Sequence, residues 1–238
     1  MSLEEKLQAP VEAYGQRQPD WEKKQRHWKP WVRLVLRASY FMRGYGPGKI
    51  EGPALVVFDK HDYSPDPIFI VRQDGFLTMV AKEDTALLTR VAKKFGGIIV
   101  DEAKTKVMLA RLKEQLYFHL DHGHVIGVFP YNDVNEDVIS LGVVRTVMRW
   151  ESDNGVRVNY VPAAVRYTNT LPFVEEVWRM PRKLHNWPVP WLTQARILVS
   201  NSSFSSEGLF PNSAGAQKLV QKLMAESELL PIKYLRNL

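Results

Sequence analysis

Short apolar runs alternate along the chain with longer stretches in which apolar residues recur every three or four positions. Leu55-Val56-Val57-Phe58 sits in the first such run and predicts an interior strand over 53–59. Ser64-Pro65 follows as a helix start, with Ser64 as N-cap and Pro65 at the first helical position, and predicts a short helix to about Val71. Strands are predicted over Phe76–Ala81, Gly97–Val100, Val125–Phe129, Val156–Tyr167 and Ile197–Ser200. Helical spacing predicts Asp84–Lys94, with Leu87, Leu88, Val91 and Phe95 on one side. It also predicts Ala103–Asp121, with Val107, Leu109, Leu112, Leu116 and Leu120 as the core side, then Val138–Trp150 and a closing helix over Asn212–Ala225. Strands alternating with helices give an α/β fold: a mainly parallel sheet flanked by helices.

Residues 21–46 carry a different pattern. Pro30 can open a helix there, and Lys29, Arg33 and Arg37, spaced by four, make a basic stripe. Trp28, Trp31, Val32, Val35 and Met42 fall broadly on another face. A basic amphipathic helix with tryptophans suits an anionic membrane surface, or alternatively packs its tryptophans on the domain. Gly44, Gly46, Pro47 and Gly48 end this element, so the chain divides into an amphipathic helical segment, 1–48, and an α/β domain, 49–238. Residues 171–193 break the alternation with prolines among Trp178, Trp187, Trp191, Arg179, Arg182 and Lys183. They form either a second interfacial patch or lid, or an ordinary surface excursion.

Composition narrows the classes. The net charge of +6 suits anionic partners, and 45% apolar residues can fill a core in 238 residues. There is no cysteine, hence no disulfide and no thiolate nucleophile. The charged start, Met1-Ser2-Leu3-Glu4-Glu5-Lys6, does not read as a signal peptide, and no run reaches the roughly 18 apolar residues of a spanning helix. The expectation is a cytoplasmic protein, peripheral on a membrane. The basic residues sit among tryptophans and apolar stripes, not in a polar groove, which argues against nucleic acid.

Candidate chemistry centres on His61, which follows the 53–59 strand, and on Asp66 in the first turn of the next helix. In open α/β sheets ligands bind in the crevice at the carboxyl ends of the strands. A histidine oriented there by a carboxylate can take a proton from a hydroxyl. The alternative is a loop histidine followed by an acid that favours a helix start. His119, His122 and His124, with Asp121, form a second cluster. It reads either as a metal site or as a polar helix exit with Gly123 as its cap, and the cap is the reading adopted, with no metal and no cofactor. Ser64 has no G-x-S-x-G elbow, and Gly96-Gly97 is too short to cradle a phosphate.

His61-Asp62-Tyr63-Ser64-Pro65-Asp66 resembles the H-x4-D block of the glycerolipid acyltransferases, typified by lysophosphatidic acid acyltransferase. Met79-Val80-Ala81-Lys82-Glu83 is similar to that family's strand ending in Ala-Lys. Phe95-Gly96-Gly97-Ile98-Ile99-Val100-Asp101 is similar to its G-x-I-F-I-D-R segment, Val125-Ile126-Gly127-Val128-Phe129-Pro130 to the strand entering F-P-E-G-T-R, and Val161-Pro162-Ala163-Ala164-Val165 to V-P-V-x-P-V. The blocks keep the family's order across roughly residues 50–170. The resemblance implies an O-acyltransferase with His61 as base and Asp66 as its orienter, an acyl-CoA or acyl carrier protein donor, and a lipid acceptor. Lys60 and Lys82 are candidates for donor contacts. Two departures touch the acceptor. Glu102 replaces the arginine of the second block, and Tyr131-Asn132-Asp133-Val134 replaces E-G-T-R. Carboxylates repel the phosphate that those arginines would hold. Glu102, Tyr131, Asn132 and Asp133 therefore predict an acceptor without phosphate. The alternatives are a lipid-binding protein without catalysis, or a plain 1-acylglycerol-3-phosphate acyltransferase whose phosphate is met by Arg145, Arg149 or Arg166.

Overall fold

A computed structural model describes residues 18–58, 77–82, 93, 96–100, 106–128, 138–170 and 191–235. In chain order these contain α1 (Gln18–Tyr40), β1 (Arg43–Tyr45), β2 (Ala54–Phe58), β3 (Leu77–Lys82), β4 (Ile98–Val100), α2 (Lys106–Asp121), β5 (Val125–Val128), α3 (Val138–Asn154), β6 (Asn159–Asn169), β7 (Thr193–Val199) and α4 (Ser213–Leu235). The strands form a seven-stranded sheet in the order β1-β7-β6-β2-β5-β3-β4. β6, β2, β5, β3 and β4 run parallel, β7 runs antiparallel to β6, and β1 pairs parallel with β7. The chain is an α/β protein with a mainly parallel sheet flanked by helices, as the alternation predicts.

β2 is central because every one of its five side chains is apolar and buried. Such a strand is comfortable only with both faces covered. Leu55 and Val57 pack with Leu112, Leu116 and Leu120 of α2, Val143, Val144 and Val147 of α3, and Leu219 and Leu223 of α4. Ala54, Val56 and Phe58 face the other way, among Leu77, Met79, Val125, Val161, Ile197 and Val199. Gly127 on β5 makes that second face possible, because a Cβ there would stand 2.3 Å from the Met79 sulfur.

The strand expectations for β2, β3, β4 and β5 agree with the structure to within a residue or two. Leu109 is exposed, one turn beyond the reach of the core that buries Leu112, Leu116 and Leu120. β7 begins at Thr193, not Ile197, because its paired length follows β6 out to Asn169. α4 runs through Pro231 to Leu235, well past Ala225. Leu230 against Ala164 and Leu198, and Tyr234 beside Tyr45, hold its last turns in place despite the missing N–H.

α1 needs the largest correction. It begins by Gln18, and Pro30 lies inside it instead of opening it. Its inward stripe is Trp21, Gln25, Lys29, Leu36 and Tyr40, so Lys29, expected on a solvated basic stripe, is only 7% exposed. Trp28, Trp31, Val32, Leu34 and Val35 face outward. The reason is tertiary. The Gln25 side-chain amide donates to the Leu77 carbonyl and accepts from the Leu77 N–H, the Trp21 ring lies against His119, and Leu36 and Tyr40 pack on Ala195. α1, about 34 Å long at 1.5 Å per residue, thus runs from the start of β3 to the outer part of β6 and β7. Residues 43–45, expected within the connection, form the β1 edge strand. The segment 171–190, the predicted helix over 64–71 and, apart from the helical Lys93, the predicted helix over 84–94 lie outside the described residues.

Candidate functional site

Parallel pairing sets the frame of the site. Val57 of β2, Val128 of β5 and Val80 of β3 stand level, and Lys82 of β3 pairs with Val100 of β4. The carboxyl ends of four adjacent strands therefore open on one edge of the sheet, where open α/β folds bind ligands. β6 pairs Ala163 with Phe58 and then continues to Asn169, so it and β7 extend the sheet past the end of β2.

Each candidate residue from the sequence follows one of these four ends. Lys60 and His61 come two and three positions after Phe58. Glu102 comes two after Val100, and Tyr131, Asn132 and Asp133 three to five after Val128. Lys82 is the last residue of β3 and reaches the edge itself. Lys60, His61, Asp66, Glu102, Tyr131, Asn132 and Asp133 lie outside the described residues.

The remaining candidate arginines separate. On α3, Arg145 donates to the Ser213 hydroxyl at 3.2 Å, and Arg149 donates to the Pro211 carbonyl at 3.3 Å. Both serve the entry to α4. Arg166 stands on the outer part of β6, opposite Arg196 of β7, and Arg196 in turn stands opposite Arg43 of β1. Three arginines thus occupy one level on three adjacent strands. No spacing in the sequence signals this, because the three positions meet only through pairing between distant segments.

The histidine cluster lies at the opposite, amino edge, before β5. Gly123 takes φ +65° and donates its N–H to the Leu120 carbonyl at 2.9 Å, closing α2 as its cap. His119 Nδ1 and His124 Nδ1 face each other at 2.9 Å, His124 Nε2 lies 3.4 Å from a Glu22 carboxylate oxygen, and His122 Nδ1 turns to the Phe118 carbonyl at 2.7 Å. Two facing Nδ1 atoms can share one proton. With the His124 Nε2–H directed at Glu22, neutral His124 accepts at Nδ1 and His119 donates. Burial holds His119 down to about 3, and His124 and His122 add to the effect. Burial also lowers His124, against the pull of Glu22. The Asp121 carboxylate accepts from the Trp150 indole N–H at 2.7 Å, which ties α2 to α3. These groups join α1 to the body of the fold.

At the same edge Glu151 accepts from the Tyr160 hydroxyl at 2.9 Å, from the Val158 N–H at 3.0 Å and from the Ser206 hydroxyl. Burial first, and the Glu151 charge second, push the Tyr160 hydroxyl far above its ordinary value. Tyr160 remains a neutral donor, and this constellation fixes the start of β6.

The outward face of α1 is apolar and aromatic. Trp28 is 52% and Trp31 62% exposed, with Leu34 and Val35 also exposed and Phe41 exposed just after the helix. Trp191, 65% exposed, is tied to the end of α1: its backbone N–H donates to the Ser39 carbonyl. Among the described residues no helix is long and apolar enough to cross a membrane.

No protein-family model matches this chain, and no curated protein matches it. Among solved structures, the 1-acyl-sn-glycerophosphate (LPA) acyltransferase PlsC from Thermotoga maritima is similar, with 16% sequence identity, 89% of this chain and 78% of that chain covered, and a TM-score of 0.48. A likeness of that extent assigns neither activity nor substrate.

Proposed function

We propose that the protein is an O-acyltransferase that moves an acyl group from a thioester donor, acyl-CoA or acyl carrier protein, to a hydroxyl of a lipid. The observation that carries this is the parallel register of four adjacent strands. Val57 of β2, Val128 of β5 and Val80 of β3 stand level, Lys82 of β3 pairs with Val100 of β4, and each of the four parallel strands runs in the sequence into a block that resembles the glycerolipid acyltransferases. In the sequence His61 follows Phe58 by three residues, a reach of at most about 11 Å even in extended chain.

In this reading His61 takes the proton of the acceptor hydroxyl as the oxygen attacks the thioester carbonyl. Asp66 holds the imidazole tautomer and stabilises the imidazolium. The tetrahedral adduct collapses, the C–S bond breaks, and the thiolate leaves with the proton returned by His61. No enzyme ester forms. Glu102, Asn132 and Asp133 favour an acceptor whose hydroxyls lie on a sugar or another neutral head group, because carboxylate and amide oxygens accept hydroxyl hydrogen bonds and repel phosphate. The outward face of α1, with Trp191 tied to the end of the helix, supports a seat in a membrane interface, where amphipathic tryptophans concentrate.

The test is donor release by the whole protein with acyl-CoA and acyl carrier protein, against a panel of lysolipids and lysoglycolipids read by mass spectrometry. His61→Ala is expected to lower the rate about 10²- to 10⁴-fold. Asp66→Asn should lower it by on the order of 10² or more, each with a melting curve near wild type. Retention of half the wild-type rate by His61→Ala refutes the mechanism. A wild-type protein that binds acyl lipid but releases no thiol is a lipid-binding protein on this fold.

A further inference from the structure

We propose that Arg43, Arg196 and Arg166 form a binding row for a phosphate ester, and that the ester belongs to the acyl donor. The register places Arg43 opposite Arg196 and Arg196 opposite Arg166. Residues level across adjacent strands share a face, so the three side chains leave the sheet together. The face is that of α4. The next level along it is Tyr45, Leu198 and Ala164, which pack with Leu230 and Tyr234. Two residues further, past that cover, stand the arginines, with Arg43 exposed and Arg166 and Arg196 half-buried.

Like charges set directly across a sheet repel. Among the described residues neither Arg43 nor Arg196 forms an ion pair. Arg196 Nε donates to the Gln194 side-chain oxygen at 2.7 Å, which aims its guanidinium. Arg166 Nη1 donates to the Val165 carbonyl at 3.1 Å. Strands about 4.8 Å apart put neighbouring guanidinium groups within reach of one phosphate, and the planar fork of arginine suits its oxygens. An anion bound between Arg43 and Arg196 turns the repulsion between these two into attraction.

The row also lies near the carboxyl-end side of β2. Phe58 pairs with Ala163, so Arg166 stands three residues beyond that level on β6, the neighbour of β2, and in the sequence His61 follows Phe58 by three residues. The choice of the donor as ligand rests on the acyl-transfer reading: a thioester donor carries its phosphates on a long arm away from the reacting carbonyl, and the row lies to the side of β2, not on its line. The affinity for phosphate esters does not depend on that reading.

The experiment is calorimetric titration of the full chain in phosphate-free buffer with CoA, dephospho-CoA, glycerol 3-phosphate and inorganic phosphate, on wild type and on Arg196→Gln, Arg43→Gln and Arg196→Lys. CoA is expected to bind wild type and to lose tenfold or more in affinity with Arg196→Gln. Arg196→Lys should lose several-fold, because it keeps the charge but not the fork. Without ligand, Arg196→Gln should melt at or above the wild-type temperature, since it relieves repulsion, and added CoA should raise its melting temperature less. A variant that binds CoA and inorganic phosphate as tightly as wild type overturns the row as a phosphate site. Glycerol 3-phosphate binding as tightly as CoA, with the same sensitivity to Arg196→Gln, overturns the assignment to the donor. A wild-type protein that binds CoA through Arg196 yet transfers no acyl group removes the enzyme reading and leaves the row standing.

Discussion

Acid should weaken this fold through His119. The side chain has no exposed surface, and its Nδ1 faces that of His124 at 2.9 Å beneath Trp21 of α1. Burial, and then the neighbouring His124 and His122, hold it down to about 3 from the ordinary 6.5. The sign follows. Above 6.5 both folded and unfolded chains keep it neutral, and stability does not depend on it. Below 6.5 the unfolded chain takes up a proton that the folded chain refuses, so stability falls with pH until about 3. Each unit is about 1.4 kcal/mol. From pH 6.5 to 5.0 the loss is therefore about 2 kcal/mol, and about 4 to 5 kcal/mol at full protonation of the unfolded form. Against a typical total of about 5 to 15 kcal/mol, that suffices to unfold a marginal protein. Among the described residues the titratable groups around the pair are Glu22 from α1 and His122 and Asp121 at the end of α2, with Asp121 already bound to Trp150. The measurement is urea unfolding at pH 7.5, 6.0 and 5.0 for wild type and His119→Phe, which keeps a flat ring beside Trp21 and Phe118 but cannot titrate. Wild type should lose about 2 kcal/mol more than the variant between pH 7.5 and 5.0. Parallel stability curves for the two proteins would refute the reasoning.

Glu151→Gln should cost about 1 to 3 kcal/mol in chemical denaturation, because one of the donors Tyr160, Ser206 and Val158 then faces an amide N–H and is left unpaired. Pro30→Ala should raise helicity and stability by up to about 3 kcal/mol, since it restores an N–H inside α1 and Pro30 itself is exposed; a loss of stability would refute this. Trp28→Ala with Trp31→Ala should weaken flotation of the protein with anionic vesicles while leaving its melting temperature unchanged, and binding by wild type should fall with ionic strength; equal flotation of variant and wild type would move the anchor to Trp191 and its neighbours.

Much of the sheet was legible in the sequence for a local reason. Leu55-Val56-Val57-Phe58 and Val125-Ile126-Gly127-Val128 are continuous apolar runs, and their shortness and β-branched residues fit a strand buried on both faces. The same local logic gave the Gly123 cap, confirmed by its φ of +65°. The order of the candidate blocks along the chain was also legible, because each follows a strand. Other features were beyond local reasoning. The sequence of α1 offers two faces, one with Trp28 and Trp31 and one with Trp21, Gln25 and Lys29. Which faces inward was decided by partners far away in the chain: Leu77 for Gln25, His119 for Trp21, Ala195 for Leu36 and Tyr40. The buried histidine pair and its attachment to Glu22 depend on the same docking. The arginine row depends on strand register, which pairs Arg43, Arg196 and Arg166 across segments that share no local pattern. Periodicity is a property of neighbours in sequence and determines which residues can form an element. Pairing and docking are set by the summed burial and hydrogen bonding of whole elements, so only the tertiary structure decided which side chains meet.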